Sequence, residues 1–323
     1  MKTTDVKYAI PLITGQMENI DLSVFNSIIG QKEAIKKLKF FVGAHSEITP
    51  FPTMLFTGSQ GLGKSFMSAK IAEALGRDLV ELNCGTIEKA DDFINKVLLD
   101  EVAGDRGKVI LLDEAHQLSP EITTLLLTLL NPNAANKNHI SYRNWSIEYD
   151  FSRITTILAT TDAHKIFKPL LNRCVEIYYH LYSNEDLFEI IKYYTKGVKI
   201  SADSVDLAYA CRGRARDAFL LSQNIQRYCT MENTDELTKK GWKGLRSIFS
   251  IHEKGLKTSE VELMKILSDN GPMSCSNLAI KMGVSPSNIE SELEIRTREL
   301  GFIRSSPKGR CLTDDGRAYL ETV

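Results

Sequence analysis

Gly58-Ser59-Gln60-Gly61-Leu62-Gly63-Lys64-Ser65 fits the pattern G-x-x-x-x-G-K-[ST] of a loop that wraps a phosphate. The glycines let backbone approach an anion with no Cβ in the way. Consecutive N–H groups and the start of the following helix then face the negative charge. In such a loop Lys64 reaches the terminal phosphates and the Ser65 hydroxyl ligates Mg²⁺. The flanks agree: Met54 to Thr57 reads as a short buried strand, and Phe66 to Leu75 as a helix.

Outward from the loop, apolar runs alternate with amphipathic ones. A helix is expected over Lys32–Ala44, with Ile35, Leu38, Phe41 and Val42 on one face. Strands are expected at 78–83, 108–114, 154–159 and 175–179. Gly76 stops the helix after the loop, and Ser119-Pro120 opens another helix, to Leu130. Ile87 to Leu99 reads as mostly helical, and the aromatic, alternating stretch 131–152 as a hairpin. Strands alternating with helices give a parallel α/β sheet. Beyond Glu185 the pattern turns helical, with segments at 186–196, 201–210 and 214–229 and a short one near Glu236. Gly255 to Thr258 is the next break. Three helices follow it, with the first opened by Ser259 and Glu262 in capping-box spacing, and then a hairpin around Pro307-Lys308-Gly309. Three helices and a hairpin make a winged helix. The expected division is an N-terminal arm (1–24), an α/β core (25–180), an all-α lid (181–254) and a C-terminal winged helix (255–323).

The whole-chain properties narrow the function classes. A chain of 323 residues with net charge −1 is long enough for several domains and has no global basic field. No apolar run approaches the roughly 20 residues that span a bilayer, and no leader pattern is seen at the start. The six cysteines are dispersed without a C-x-x-C, which argues for reduced thiols in a cytoplasm and against zinc.

Asp113 and Glu114 end the third strand, at the edge where open α/β sheets bind ligands. Asp113 there would hold Mg²⁺ through water, and Glu114 would polarise an attacking water. Thr160, Thr161 and Asp162 end the fourth strand, where a hydroxyl could read a phosphate or merely begin a turn. Arg173 precedes the fifth strand. Arg216 opens a helix, where a cation opposes the macrodipole and invites a nearby anion. In the winged domain acidic and basic residues are nearly balanced. Glu290, Glu292, Glu294 and Glu299 on the third helix speak against its reading bases in a major groove. Arg296, Arg298, Arg304, Lys308 and Arg310 gather at the helix end and wing, favouring contact with a nucleic-acid backbone.

Together these residues resemble the AAA+ ATPases, and within them the RuvB-type Holliday-junction branch-migration motors. The resemblance covers about residues 22–323. Its parts are Ile28-Ile29-Gly30-Gln31, Gly61 to Ser65, Leu112 to His116, Ala159-Thr160-Thr161, and Gly301 to Arg310 with its R-x-x-P-[KR]-G-R wing. It implies ATP and Mg²⁺ as cofactors, a hexameric ring, and double-stranded or junction DNA as partner. It also implies adenine bracketed by Ile28, Ile29 and Tyr182, with Gly61, Leu62, Gly63, Lys64, Ser65 and Phe66 around the phosphates. Thr161 (or Thr160) would be sensor 1, Arg216 sensor 2, and Arg173 an arginine finger acting on the neighbouring subunit. Arg304, Lys308 and Arg310 would meet DNA. The chain departs from the family at Ser59-Gln60, where two prolines are usual, at Asp162, and at Gly213-Arg214-Ala215-Arg216. A further departure is the Asn- and Lys-rich stretch 131–144, where the family's hairpin has an apolar tip that docks a RuvA-type partner. Rival readings are an AAA+ clamp or helicase loader, and a nucleotide-switched DNA-binding regulator with little turnover.

Overall fold

In the computed structural model, which describes residues 20–46, 49–95, 107–130, 137–142, 145–150 and 154–323, the first unit is organised by seven strands. They are β1 (Met54–Thr57), β2 (Asp78–Asn83), β3 (Lys108–Asp113), β4 (Lys137–Tyr142), β5 (Trp145–Asp150), β6 (Ile154–Thr160) and β7 (Val175–Tyr178). Five pair in parallel in the order β2-β3-β6-β1-β7. β1 and β6 are buried along their whole lengths, which suits central strands covered on both faces. The register sets Thr57 beside Thr160 and Asn83 beside Asp113, so the chemistry-bearing strand ends share one edge.

The helices of this unit are α1 (Lys32–Gly43), α2 (Lys64–Ala74), α3 (Ala90–Phe93), α4 (Pro120–Leu129) and α5 (Lys168–Leu171). α1 buries Leu38 and Val42 of the expected stripe together with Ala34, while Ile35 and Phe41 are only half-buried. Ile122, Leu125, Leu126 and Leu129 of α4 pack with Leu55, Ile110, Leu112 and Leu158 of the sheet. Ser119 Oγ accepts from Ile122 N at 3.3 Å and Pro120 occupies the first turn, as the sequence specified. β4 and β5 form the expected antiparallel hairpin, ending at Tyr142↔Trp145. Its tip, most of the expected arm and the end of the helix expected from Ile87 lie outside the described residues.

The chain divides into two units, Met1–Leu181 and Tyr182–Val323. The second begins with α6 (Asn184–Tyr194), α7 (Ser204–Ala210), α8 (Ala215–Met231) and α9 (Lys239–Ile248). The helical region also holds a two-residue parallel pair, β8 (Lys199–Ile200) with β9 (Glu236–Leu237). The helix near Glu236 starts later and is longer than the sequence suggested. Next come α10 (Thr258–Asn270), α11 (Cys275–Met282), α12 (Pro286–Asn288) and α13 (Glu294–Glu299), then β10 (Ile303–Ser306) and β11 (Gly309–Leu312). The α10 cap falls earlier than Ser259 and Glu262 implied: Lys257 N donates to Glu260 Oε2 at 2.7 Å. A π turn over Ile289–Leu293 joins α12 to α13, so the third helical segment is irregular in its middle. A closing helix, α14 (Asp314–Leu320), went unread in the sequence although Thr313 caps it and Asp314 and Asp315 fill its first turn. Its Tyr319 stacks on Phe302 with ring centroids 4.9 Å apart.

The helical region and the winged helix are joined tightly within this unit. Gly255 has φ +74°, and a Cβ there would lie 2.1 Å from the Tyr209 carbonyl oxygen. Glu260 is 1% exposed, and the Arg212 guanidinium beside α7 donates to its carboxylate.

Candidate functional site

The loop Gly58–Ser65 joins β1 to α2 in a backbone that only glycine adopts readily. Gly58, Gly61 and Gly63 have φ of +140°, +78° and +92°. At Gly58 a Cβ would also lie 2.6 Å from the Tyr179 carbonyl oxygen. Leu62 is buried and anchors the loop, while Phe66 on the first turn of α2 is exposed. Lys64 is only 8% exposed, and its Nζ donates to Gly58 O at 2.6 Å and Ser59 O at 2.9 Å. The ammonium is therefore tied across the loop by backbone carbonyls. Ser65 follows it, half-buried at the helix N-terminus.

The strand-end residues lie beside this loop. Asp113 Oδ1 accepts from Glu114 N at 3.0 Å. Glu114 has left-handed backbone, φ +53°. Its Oε1 accepts from Gln60 Nε2 at 3.3 Å. Its Oε2 is buried, accepts no hydrogen bond, and lies 3.4 Å from His116 Nδ1. That nitrogen is also 3.0 Å from Thr160 Oγ1, which accepts from Asp162 N at 2.9 Å. Thr160 is fully buried and Thr161 exposed, so the two hydroxyls have separate settings at the same strand end. Asp162 pairs with Lys165 at 2.9 Å, which holds its carboxyl below the usual aspartate range. Burial, with the charges of Asp113 and Glu114, pushes the nearby Cys84 thiol up to about 12.

Gln60, His116 and Gln31 were given no role from the sequence. Gln31, with φ +48°, donates through Nε2 to His180 O at 2.7 Å and accepts from His180 N at 3.2 Å. It staples the segment carrying the half-buried Ile28 and Ile29 to the chain leaving β7. The left-handed backbone implied by Gly30-Gln31 was the available signal. Arg173 leaves α5 and donates to the carbonyl of Leu127 in the last turn of α4, where carbonyls lack helical partners.

In the second unit, Tyr182 N donates to Gly213 O at 2.9 Å, joining the unit's first residue to the turn before α8. Arg216 is exposed on the first turn of that helix. Asp217 beside it supplies an anion at the helix start. Burial raises its carboxyl above the ordinary value, against the pull of Arg214, Arg212, Lys257 and Arg216. On the wing, Arg304 and Lys308 are exposed. Arg310 differs from them: its guanidinium donates to Glu294 Oε2 at 3.0 Å and Glu290 Oε1 at 2.6 Å, which raises its pKa further. Arg298 pairs with Glu294 at 3.2 Å and Arg296 with Glu299 at 3.2 Å. The expected five-residue basic cluster thus presents two outward cations, because the acidic third helix neutralises the other three. Met273 N and O bond Arg310 O and N at 2.9 and 2.7 Å, so the wing also has a third backbone partner.

The loop fits a nucleotide's phosphates: it lacks Cβ atoms where backbone must approach, and a buried ammonium is held at its mouth. Ser65 and Asp113 offer the hydroxyl and carboxylate oxygens that suit Mg²⁺. Fold and site together define a phosphate-loop protein of the AAA class. Residues 54–181 match the ATPase family associated with various cellular activities (AAA), a match that implies ATP binding. Residues 253–321 match the RuvB C-terminal winged helix domain, so an AAA-type core and a RuvB-type winged helix occur in one chain.

The chain is 28% identical over 311 residues to the "Holliday junction branch migration complex subunit RuvB" of Wolbachia sp. subsp. Brugia malayi, covering 94% of each chain. It is 24% identical to the protein of that name from Mycoplasma genitalium, covering 92% of this chain and 96% of the relative. A solved structure described as the Thermotoga maritima RuvB Holliday junction branch migration motor has the same fold, with TM-score 0.72 and 23% identity over 91% of this chain and 95% of that one.

Proposed function

We propose that this chain is an Mg²⁺-ATP-driven ring motor that translocates double-stranded DNA, in RuvB-like branch migration of Holliday junctions during recombination and repair. The observation that carries the reading is the union, in one chain, of the phosphate-loop edge with a RuvB-type winged helix, over nearly the whole length of relatives named RuvB. Lys64 would bind the β- and γ-phosphates, with the backbone of Gly61, Leu62, Gly63, Ser65 and Phe66 around them. Mg²⁺, held by Ser65 and through water by Asp113, would neutralise phosphate charge. Glu114 would draw the proton from the attacking water, and Thr161 would sense the γ-phosphate, with Thr160 and His116 bracing the strand end beneath it. Ile28, Ile29 and Tyr182 would bracket the adenine, and Arg216 would contact the γ-phosphate.

Arg173 would complete the site of a neighbouring subunit. Such a head-to-tail interface closes into rings, here a hexamer. Arg304 and Lys308 would meet the DNA backbone, with Arg310 bracing the wing from behind. The domain division follows the same reading: core 25–180, lid 181–254 and winged helix 255–323, with the arm before them. It assigns the work to the cytoplasm. Any RuvA-type partner would have to accept a polar hairpin.

The test is ATP turnover with and without four-way DNA, together with the mass of the assembly. Turnover stimulated by DNA, a closed hexamer, and loss of at least 10³-fold in Lys64→Ala are expected. Glu114→Gln should retain ATP and lose turnover. A pentamer that leaves DNA after loading a partner would favour a loader. Indifference of a slow basal rate to Glu114→Gln would favour a nucleotide switch.

A further inference from the structure

One hydrogen bond in the first unit joins the two motifs of the ATP site before any phosphate links them. Gln60, at the exposed tip of the loop, donates from Nε2 to Glu114 Oε1 at 3.3 Å across a sequence separation of 54 residues. The other carboxylate oxygen is in the opposite condition. Oε2 is buried and accepts no hydrogen bond. It lies 3.4 Å from His116 Nδ1, which is itself 3.0 Å from Thr160 Oγ1. A buried carboxylate oxygen left without a donor is costly, and native structures keep such groups chiefly where binding or chemistry uses them. Glu114 adds a second cost, its left-handed backbone at φ +53°, which persists only where the surroundings over-determine it.

The asymmetry fixes how the carboxylate is turned. We infer that Gln60 is a positioning residue for ATP hydrolysis: by holding Oε1 of Glu114 it sets the rotation of the carboxylate that would act on the attacking water. The inference rests on the ATPase reading above and deepens it. An amide suits the task because it is neutral. A lysine or arginine at this place would hold the carboxylate but oppose proton uptake, whereas an amide restrains rotation with little change in charge. Gln60 also belongs to the loop that would wrap the phosphates. The aim of the carboxylate is therefore tied to the shape of that loop, through one side chain.

The experiment measures kcat and KM for ATP, and affinity for a fluorescent ATP analogue, in the full-length chain. For Gln60→Ala a fall in kcat of about five- to tenfold is expected, with KM and analogue affinity within about twofold of wild type. Gln60→Glu keeps the length but replaces the donor with a like charge, and its kcat should fall further. In a Glu114→Gln background Gln60→Ala should change the residual rate no more, since the group it positions is gone. An unchanged or higher kcat overturns the inference. So does a loss of analogue affinity matching the loss of rate, which would make Gln60 part of the loop's own architecture. A further loss in the Glu114→Gln background also overturns it. A wild-type chain that does not hydrolyse ATP removes the ATPase reading along with this one, whereas brisk turnover indifferent to Gln60 removes this one alone.

Discussion

Two sets of cations, one in each unit, are held in opposite ways. At the sheet edge, Lys64 donates to the carbonyls of Gly58 and Ser59, and Arg173 to the carbonyl of Leu127. In the winged domain, Arg310, Arg298 and Arg296 pair with Glu290, Glu294 and Glu299. A carbonyl dipole holds a cation in place without cancelling its charge. A carboxylate holds it and cancels it. Positive charge set on carbonyls remains a lure for an incoming anion, while charge set on carboxylates is framework. For these residues the partner atom thus separates cations left available to an anion from cations built into the framework.

The largest effect that would sharpen this contrast is at Arg173. If it serves a neighbour's nucleotide, Arg173→Ala should lower turnover about 10³–10⁵-fold while leaving the protomer's stability nearly intact. Mixing Arg173→Ala protomers with Lys64→Ala protomers should restore part of the activity, at interfaces that combine one intact loop with one intact arginine. Failure of the mixture to exceed either variant alone would return Arg173 to the role of an α4 cap.

Next comes Glu294, which is 4% exposed and shared by two arginines. Removing it strands partly buried positive charge, so Glu294→Ala should destabilise the second unit by about 2–4 kcal/mol, read by denaturant unfolding. Little change would mean that water already satisfies those arginines.

The smallest effect concerns the outward cations. Replacing both Arg304 and Lys308 with Ala should reduce the slope of log affinity against log salt by about 2 per engaged wing, at roughly 0.9 for each phosphate no longer neutralised. Arg310→Ala should lower stability and leave that slope almost unchanged. Equal slopes for the two variants would break the division between recognition and framework.

The strands of the sheet were legible almost to their ends. β2 was read to its ends, and β3, β6 and β7 to within a residue at one end; for β3 and β6 the signal was the apolar run a covered parallel strand requires, whereas β2 and β7 are edge strands only partly buried. The loop was legible for a related reason: its left-handed backbone admits few residues besides glycine. The wing's charge was legible only as composition. Arg310 and Glu290 are twenty positions apart, and only the folded chain reveals that they meet at 2.6 Å. Gln60 was seen as a departure from the family pattern and not as a donor, since its acceptor arrives from a different strand. α14 was missed although its cap and first-turn acids stood in plain view, because the hairpin before it already completed a recognisable unit.

The tight seam between Gly255 and Tyr209, with Glu260 clasped by Arg212, bears on how force would travel. A flexible tether at this place would let the helix that carries Arg216 swing while the winged helix stayed behind. With no room for even a methyl group at the seam and a buried ion pair across it, the second unit of the proposed motor would act instead as a crank. Any rotation imposed at one end would reappear at the wing as travel, scaled by its distance from the pivot. Step length would then be set by the dimensions of the unit, and loosening the seam would leave ATP turnover running while DNA stood still.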